Sequence, residues 1–165
     1  MAKAKPNLVL GIDAGLRGAL GAVTLTGKFH SWHRMPVRED SRGRKTIDVH
    51  GLYVLLNAYV GKVAAVVTEA QHSYGNEARS RLWRFALGVG RMQATVELIF
   101  PGVPFVDFSP QAWKEAVLGD KSMSKVDTVD WVRARFPDAE LPRADGPSDA
   151  LGQALFGIEV LKRST

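Results

Sequence analysis

The sequence feature that most constrains the fold is a short apolar run that ends in a single carboxylate. Leu8 to Ile12 is followed by Asp13, and Gly15 and Gly18 come shortly before a second apolar run. The first run predicts a strand buried on both faces, and the glycines predict a tight turn into an antiparallel neighbour. Because burying an unpaired carboxylate is costly, Asp13 is either a ligand for a cation or an ordinary turn residue.

The same pattern occurs again in the middle of the chain, where the run over residues 63–68 ends in Glu69. If both runs are parallel strands of one sheet, their carboxyl ends lie at the same edge, which is where ligands bind in α/β folds. A third carboxylate, Asp149, precedes Ala150, Ala154 and Gly157, which suit a helix packed close to a sheet. An aspartate in that position is commonly a helix cap. Converging carboxylates instead suit Mg²⁺ or Mn²⁺, and a pair of such ions can activate water at a phosphodiester.

The periodicity of the whole chain predicts alternating strands and helices. Strands are predicted over residues 8–14, 18–26, 29–35, 63–69 and 103–108, and helices over 48–59, 76–100, 124–136, from Ser109 and from about Asp149 to Leu161. This order predicts an α/β fold with a ribonuclease H-like mixed β-sheet of about five strands, the first three antiparallel, flanked by helices.

Two segments of this pattern carry further expectations. Residues 36–46 are polar and largely basic, which indicates a solvated surface loop, with a mobile arm that contacts phosphate as the alternative. In the long helix, Gly88 and Gly90 predict a close backbone contact, within the chain or with a second copy. Its core stripe is predicted to comprise Leu82, Phe85, Val89, Met92, Val96 and Ile99.

Composition limits the kinds of partner and the cellular location that we expect for this protein. The 165 residues carry a net charge of +5, which favours a polyanionic partner, nucleic acid above all, about equally with a simple solubility charge. We expect a basic tail over residues 1–7, a single domain over 8–163 and no membrane segment. The absence of cysteine excludes disulfides and fits a cytoplasmic location.

The carboxylate motifs, taken in order, resemble those of the RuvC-like Holliday junction resolvases. The matching pieces run from Leu10 to Gly18, from Val67 to Gln71 and from Ser148 to Leu151. The resemblance extends over residues 8–161, and it implies a homodimeric, metal-dependent endonuclease. Such an enzyme nicks two opposed strands of a four-way DNA junction and leaves 5′-phosphate and 3′-hydroxyl ends. It needs Mg²⁺, for which Mn²⁺ substitutes, and no nucleotide cofactor.

The resemblance also implies roles for individual residues. Asp13, Glu69 and Asp149 match the acidic metal ligands of the family. The fourth ligand normally lies three positions before the last one, where this chain has Gly146, so Asp145 is the candidate. Lys114 and Lys125 match basic residues that approach the scissile phosphate, and Lys125 is also a candidate catalytic residue. Further contacts to DNA are expected from Arg17, Arg81, Arg84 and Lys121. An aromatic residue that follows the glutamate in the family is replaced here by His72 or Tyr74.

Three other classes of protein share part of this pattern. An actin-like ATPase needs a hydroxyl where Arg17 stands and a second comparable domain, and the chain has neither. An RNA-processing nuclease of the YqgF type shares the fold and the first motif but favours a chain without the basic residues 36–46. A protein that binds branched DNA without cutting it would not need Asp13, Glu69 and Asp149 together.

Overall fold

The computed structural model describes residues 5–70 and 79–163, and within them the elements follow the predicted order. The strands are β1 (Leu8–Ile12), β2 (Ala19–Thr24), β3 (Phe29–Arg34), β4 (Val37–Glu39), β5 (Lys45–Ile47), β6 (Val63–Glu69) and β7 (Phe105–Phe108). The α-helices are α1 (Val49–Asn57), α2 (Arg79–Ile99), α3 (Pro110–Trp113), α4 (Lys125–Arg135) and α5 (Asp145–Arg163). A π-helical turn (Lys114–Leu118) continues α3, and a 3₁₀ turn (Pro137–Ala139) follows α4.

The main sheet has the strand order β3-β2-β1-β6-β7. Strands β1, β2 and β3 are antiparallel neighbours, whereas β6 and β7 run parallel to β1. The predicted mixed sheet of five strands, the first three antiparallel, is therefore confirmed. The parallel pairing of β1 with β6 brings the carboxyl ends of the two apolar runs to one edge.

Alternation along β1 divides the core into two layers. Leu8, Leu10 and Ile12 are buried on the side covered by α1 and α2, and Val9 is buried on the side covered by α4 and α5. Both faces of the sheet are thus covered, which is why β1 is apolar at every position that carries a side chain.

Helix α5 lies so close to the sheet that glycines are required at the contact. A Cβ on Gly11 of β1 would overlap the backbone of Ala150, and a Cβ on Gly21 of β2 would lie 2.8 Å from the amide nitrogen of Leu151. Gly157 of α5 makes the reciprocal contact, because a Cβ there would lie 2.6 Å from a methyl carbon of Val9. The predicted close packing of this helix is confirmed, and helix backbone touches strand backbone.

Side chains cap the starts of three helices. The side chain of Asp48 accepts a hydrogen bond from the amide of His50 at the start of α1. Ser109 caps α3, where Pro110 occupies the first turn, and Ser124 caps α4 by accepting from the amide of Asp127.

The prediction of a loop over residues 36–46 is wrong, because the segment forms a β-hairpin. Strands β4 and β5 pair antiparallel, and the carboxylate of Asp40 accepts from the amides of Arg42 and Arg44 at the turn. Gly43 takes the left-handed conformation with φ of 69°. The hairpin is held against α2 by the buried Ile47.

The first half of α2 also departs from the predicted core. Phe85 is 38% exposed and Leu82 is only partly buried, whereas Met92 and Val96 are fully buried. The N-terminal turns run alongside the β4–β5 hairpin beyond the layer formed by α1, so burial begins at Gly88. A Cβ at Gly88 would make ordinary contact with Ile47 and one at Gly90 would meet open space, so neither glycine is required within the described chain. On α4, Val126 is likewise 70% exposed, whereas Val129 and Val132 are buried.

Among the described helices, none is long and apolar enough to cross a membrane.

Candidate active site

The first two carboxylates come together through strand register. Ile12 of β1 pairs with Thr68 of β6, so Asp13 and Glu69 follow at the same level on neighbouring parallel strands. The Thr68 hydroxyl donates a 2.8 Å hydrogen bond to the carbonyl of Ile12 and fixes the two strand ends to each other. Neighbouring strands lie about 4.8 Å apart, so the two side chains start from adjacent backbone positions.

The turn after Asp13 holds this carboxylate in place. The Asp13 amide donates to the carbonyl of Ala19, and the Asp13 carbonyl accepts from the amide of Gly15. A Cβ on Gly18 would overlap the Asp13 carbonyl, so only glycine allows the chain to return this tightly.

Helix α5 begins at Asp145, not at Asp149, so the prediction that Asp145 lies in a loop is wrong. Gly146 and Pro147 suggested a turn, yet proline is compatible with the first turn of a helix because no amide hydrogen is needed there. Asp145 and Asp149 therefore lie four residues apart on one helix face. A Cβ at Gly146 would lie 2.7 Å from the Arg17 carbonyl and 3.3 Å from Oδ2 of Asp13, so this helix start lies against the Asp13 turn.

Electrostatics shows that the carboxylates share one environment. Burial, together with the charges of Glu69 and Asp145, raises the pKa of Asp13 to about 6. Burial and the charge of Asp13 raise the pKa of Asp149 to about 7, with Asp145 and Glu69 adding to the effect. The charges of all four acidic residues that the sequence singled out, at the ends of β1 and β6 and in the first turns of α5, thus influence one another.

Lys125, the first residue of α4, is the cation of this cluster. Its Nζ lies 2.8 Å from Oδ2 of Asp145. The hydrogen bond and charge of Lys125 lower the pKa of Asp145. The hydrogen bond and charge of Asp145 in turn raise the pKa of Lys125. Its charge also acts on Asp13 and Asp149, in the direction that favours their ionised forms. The Lys125 side chain is 77% exposed, so its ammonium group remains accessible from solvent.

Lys114 and Lys121 lie on the segment that leads to Lys125. The Lys114 ammonium donates a 2.9 Å hydrogen bond to the carbonyl of Met123 and ties the segment to the π-helical turn. Lys121 is exposed in a turn held by Asp120, whose carboxylate accepts from both the amide and the hydroxyl of Ser122. In this arrangement Lys114 positions the start of α4, and Lys125 reaches the carboxylates.

The other residues predicted to contact DNA lie on the turn after Asp13 and on α2. Arg17 is exposed on the turn that follows Asp13. Arg81 and Arg84 are exposed on the first turns of α2, where the Arg84 Nε donates to the Ser80 carbonyl. His72 and Tyr74 lie outside the described residues.

The sequence prediction assigned no role to Trp83, which lies between Arg81 and Arg84 on α2. Its side chain is 70% exposed. A cavity of about 530 Å³ separates this part of α2 from the β4–β5 hairpin. A tryptophan between two arginines was a usable signal for this surface, because aromatic residues among cations are typical of nucleic-acid binding.

The donor set fits a hydrated divalent cation. Within residues 5–70 and 79–163, no three acidic or histidine side chains converge as a ready-made metal cage. Mg²⁺ usually keeps several waters and takes one or two carboxylates together with substrate phosphates, so a cage of three is not required. Asp13 and Asp149 are buried carboxylates that repel each other, which is the environment that a cation would relieve.

Comparison with known proteins supports the resemblance seen in the motifs. The chain is 29% identical to the crossover junction endodeoxyribonuclease RuvC of Gluconobacter oxydans (strain 621H), over 89% of this chain and 87% of that protein. It superposes on the Thermus thermophilus RuvC structure with a TM-score of 0.64 at 23% identity, covering 96% of this chain and 97% of that one. For T. thermophilus RuvC in complex with Holliday junction substrate, the TM-score is 0.67 at 21% identity, with the same coverage. No family model matches the chain. The predicted resemblance to RuvC-like resolvases and the predicted fold are both confirmed.

Proposed function

We propose that this chain, which is similar to RuvC over nearly its whole length, is a metal-dependent endodeoxyribonuclease that resolves four-way DNA junctions by paired nicks. The products would carry 5′-phosphate and 3′-hydroxyl ends. The observation that carries the proposal is the location of Asp13 and Glu69 at adjacent strand ends of a ribonuclease H-like sheet, where their charges and those of Asp145 and Asp149 act on one another.

The position of the carboxylates supports hydrolysis of a phosphodiester. Asp13, Glu69 and Asp149 would hold Mg²⁺, or Mn²⁺ in its place, with Asp145 as a further ligand. Bound there, the metal would supply an activated water and stabilise the oxygen that leaves the phosphate. The strand ends and the glycine contacts of α5 hold these side chains on rigid backbone, as a nuclease site requires.

The basic residues complete the proposed site. Lys125 would donate a hydrogen bond to a phosphate oxygen, and its charge acts on Asp13 and Asp149 as well as on Asp145. Lys114 would act through the Met123 carbonyl by keeping the segment before Lys125 in position. Exposed Lys121, Arg17, Arg81 and Arg84 would contact the DNA backbone, so affinity should fall steeply with salt.

Paired nicks on opposed strands imply two active sites related by a twofold axis, so we include a homodimer in the proposal. Leu98 on the second half of α2 is 82% exposed, and this apolar side chain supports the predicted interface along the helix. We also include a single nuclease domain over residues 8–163 that follows a basic tail over 1–7, and action on DNA in the cytoplasm. Light scattering at micromolar concentration tests the dimer, which a monomer that cuts both strands in concert would contradict.

Cleavage of labelled nucleic acids, with and without Mg²⁺, tests the activity. The panel comprises a four-way DNA junction, a fork, a flap, the linear duplex and a structured RNA. We expect paired nicks in the junction arms, dependent on Mg²⁺ or Mn²⁺, and ends that DNA ligase rejoins. Asp13→Asn protein, purified in parallel, excludes contaminating nucleases.

The same panel separates the alternatives. Preferred cleavage of RNA would favour an RNA-processing nuclease, and junction binding without cleavage under any metal would indicate a non-catalytic binding protein. Either result would overturn the proposal. Equal cleavage of forks, flaps and junctions would retain the chemistry but remove the specificity for four-way junctions.

A further inference from the structure

The β4–β5 hairpin and the first half of α2 form a groove, of which the proposed function uses only Arg81 and Arg84. We name it the hairpin–helix groove, and its walls carry basic side chains on both sides. Its cations are Arg38, Arg44, Lys45, Arg81, Arg84 and Arg91. Asp40 is the one acidic residue among the described lining residues, and its carboxylate is already paired with Arg44 at 2.7 Å. The groove therefore presents a net positive surface.

The groove has a defined shape because the hairpin is fastened to α2. The Arg91 guanidinium donates a 2.7 Å hydrogen bond to the Thr46 hydroxyl, and the buried Ile47 contacts the helix at Gly88. Arg44 bonds through both Nε and a terminal nitrogen to Asp40, which also anchors the turn. The cations are thus carried on ordered backbone, so less conformational entropy is lost when an anion binds.

The groove also offers an aromatic surface. Trp83 lines it and is 70% exposed, although a large apolar side chain in that position gains nothing for folding by facing water. Exposed tryptophan among arginines is typical of sites that bind single-stranded nucleic acid, where bases stack on the ring and phosphates contact the cations.

The groove is continuous with the candidate active site. Ala14, Gly15 and Leu16 line its near end, and they directly follow Asp13. The near end of the groove therefore borders the turn that carries Asp13.

We propose that the hairpin–helix groove binds an unpaired stretch of the DNA strand that passes the active site, with phosphates on the hairpin and α2 cations and a base stacked on Trp83. This inference rests on the proposed function for the identity of the strand. A single strand is favoured over a duplex because stacking on Trp83 requires a base whose face is open. A second copy of the chain is disfavoured there because it would bring the same positive surface into a positive groove.

Binding is tested without cleavage, using a fluorescent single-stranded oligonucleotide, a duplex of the same sequence and a chelator of divalent ions. Trp83→Ala should weaken single-strand binding by about 5- to 100-fold and affect duplex binding less, whereas Trp83→Phe should retain most of the affinity. Because Trp83 is exposed, the fold should survive, and circular dichroism checks this. Quenching of tryptophan fluorescence by the oligonucleotide should be smaller in Trp83→Phe than in wild type.

A matched pair of lysine variants tests the electrostatic part. Lys45→Gln should weaken binding and lower the slope of log affinity against log salt by about 0.7. Lys28→Gln, an equally exposed lysine in the β2–β3 turn that does not line the groove, should change neither.

Several results would overturn the inference. These are unchanged single-strand binding by Trp83→Ala, equal losses in Lys45→Gln and Lys28→Gln, or a change of oligomeric state in Trp83→Ala with binding intact. The last result would assign this face to a second copy. If wild type cuts junctions while these variants bind normally, only the groove assignment fails. If Trp83-dependent binding is found in a protein that cuts no branched DNA, only the proposed nuclease activity fails.

Discussion

The acidic edge of the sheet and the hairpin–helix groove lie next to each other but are built in opposite ways. The carboxylates at the edge are half-buried, repel one another and project from strand ends and from a helix packed on glycines. The cations of the groove are mostly exposed and stand on a short hairpin attached to the rest of the protein by one buried side chain and one hydrogen bond.

This difference follows from what each region is proposed to do. Metal chemistry depends on placement, since a misplacement of about 1 Å can cost roughly a hundredfold in rate. Phosphate binding depends mainly on net charge and tolerates long side chains that adjust to the strand. The protein therefore places repelling groups on its most rigid elements and attracting groups on its periphery.

The largest expected effect comes from removing one strand-end carboxylate. Asp13→Asn or Glu69→Gln should reduce junction cleavage by more than about a hundredfold while junction binding persists, because the groove cations remain. Gel assays of cleavage and binding on the same preparation measure both. Asp138→Asn, an exposed aspartate in the 3₁₀ turn, is the matched control and should cut normally. Wild-type cleavage by either site variant would contradict the assignment of the edge.

A second comparison ranks the two carboxylates of α5. Asp149→Asn should be nearly inactive, because Asp149 is largely buried and its charge is repelled by that of Asp13, whereas Asp145→Asn should retain measurable activity that Mn²⁺ increases. The Asp145 side chain is 44% exposed and already paired with Lys125, so its loss changes the site less. A melting curve beside the nuclease assay separates catalysis from folding. An inactive Asp145→Asn beside an active, folded Asp149→Asn would reverse the order.

The raised pKa values of Asp13 and Asp149, caused by burial and by repulsion from neighbouring carboxylates, predict how the free energy of unfolding depends on pH. Folding raises the pKa of Asp13 from 3.8 to about 6 and that of Asp149 from 3.8 to about 7. At pH values between the unfolded and the folded pKa, the folded state therefore binds more protons than the unfolded state. Without metal, the free energy of unfolding should therefore fall as pH rises through the window from about 4 to about 7. Each of the two groups contributes about 1.4 kcal/mol for every unit by which folding raises its pKa.

Denaturant unfolding in the presence of a chelator measures this dependence. Asp149→Asn should flatten the pH profile and be more stable than wild type at pH above the window, and Mg²⁺ should stabilise wild type there. A profile that rises with pH, or a destabilised Asp149→Asn, would show that Asp149 is held by favourable contacts instead.

The smallest expected effect lies in the attachment of the hairpin. Thr46→Val removes the hydroxyl that accepts from Arg91 but keeps a branched side chain suited to a strand. A lost hydrogen bond of this kind is worth about 1 kcal/mol, so single-strand binding should weaken at most about fivefold and cleavage should change little. Hydrogen exchange at the β4–β5 amides should accelerate, with the amides of β1 as the internal control. Unchanged exchange would show that Ile47 alone fastens the hairpin.

Most of the fold was predictable because its strands and helices carry their own periodicity. The run from Leu8 to Ile12 specifies a buried strand without reference to the rest of the chain. The hairpin was not predictable in this way, because β4 and β5 have three residues each and only Ile47 of their side chains is buried. Its stability comes from α2, which lies more than thirty residues later in the chain.

The candidate site was predictable to a similar degree. Asp13 and Glu69 were identifiable because each ends an apolar run, and parallel strands bring such ends together. The start of α5 was misplaced because Gly146-Pro147 is equally compatible with a turn and with a first helical turn. The exposure of Trp83 depends on where α2 leaves the core, which periodicity along the helix does not encode.

The backbone contact between α5 and the glycines of β1 and β2 has a consequence for how the protein can change over time. Gly11 and Gly21 let main chain rest on main chain, so the separation of Asp149 from Asp13 is set by peptide groups that every sequence shares. Substitutions among the apolar side chains around this contact can then accumulate without moving the two carboxylates relative to each other. Asp13 and the carboxylates of α5 are thereby insulated from sequence drift in the core, whereas a single methyl group added at either glycine would displace them.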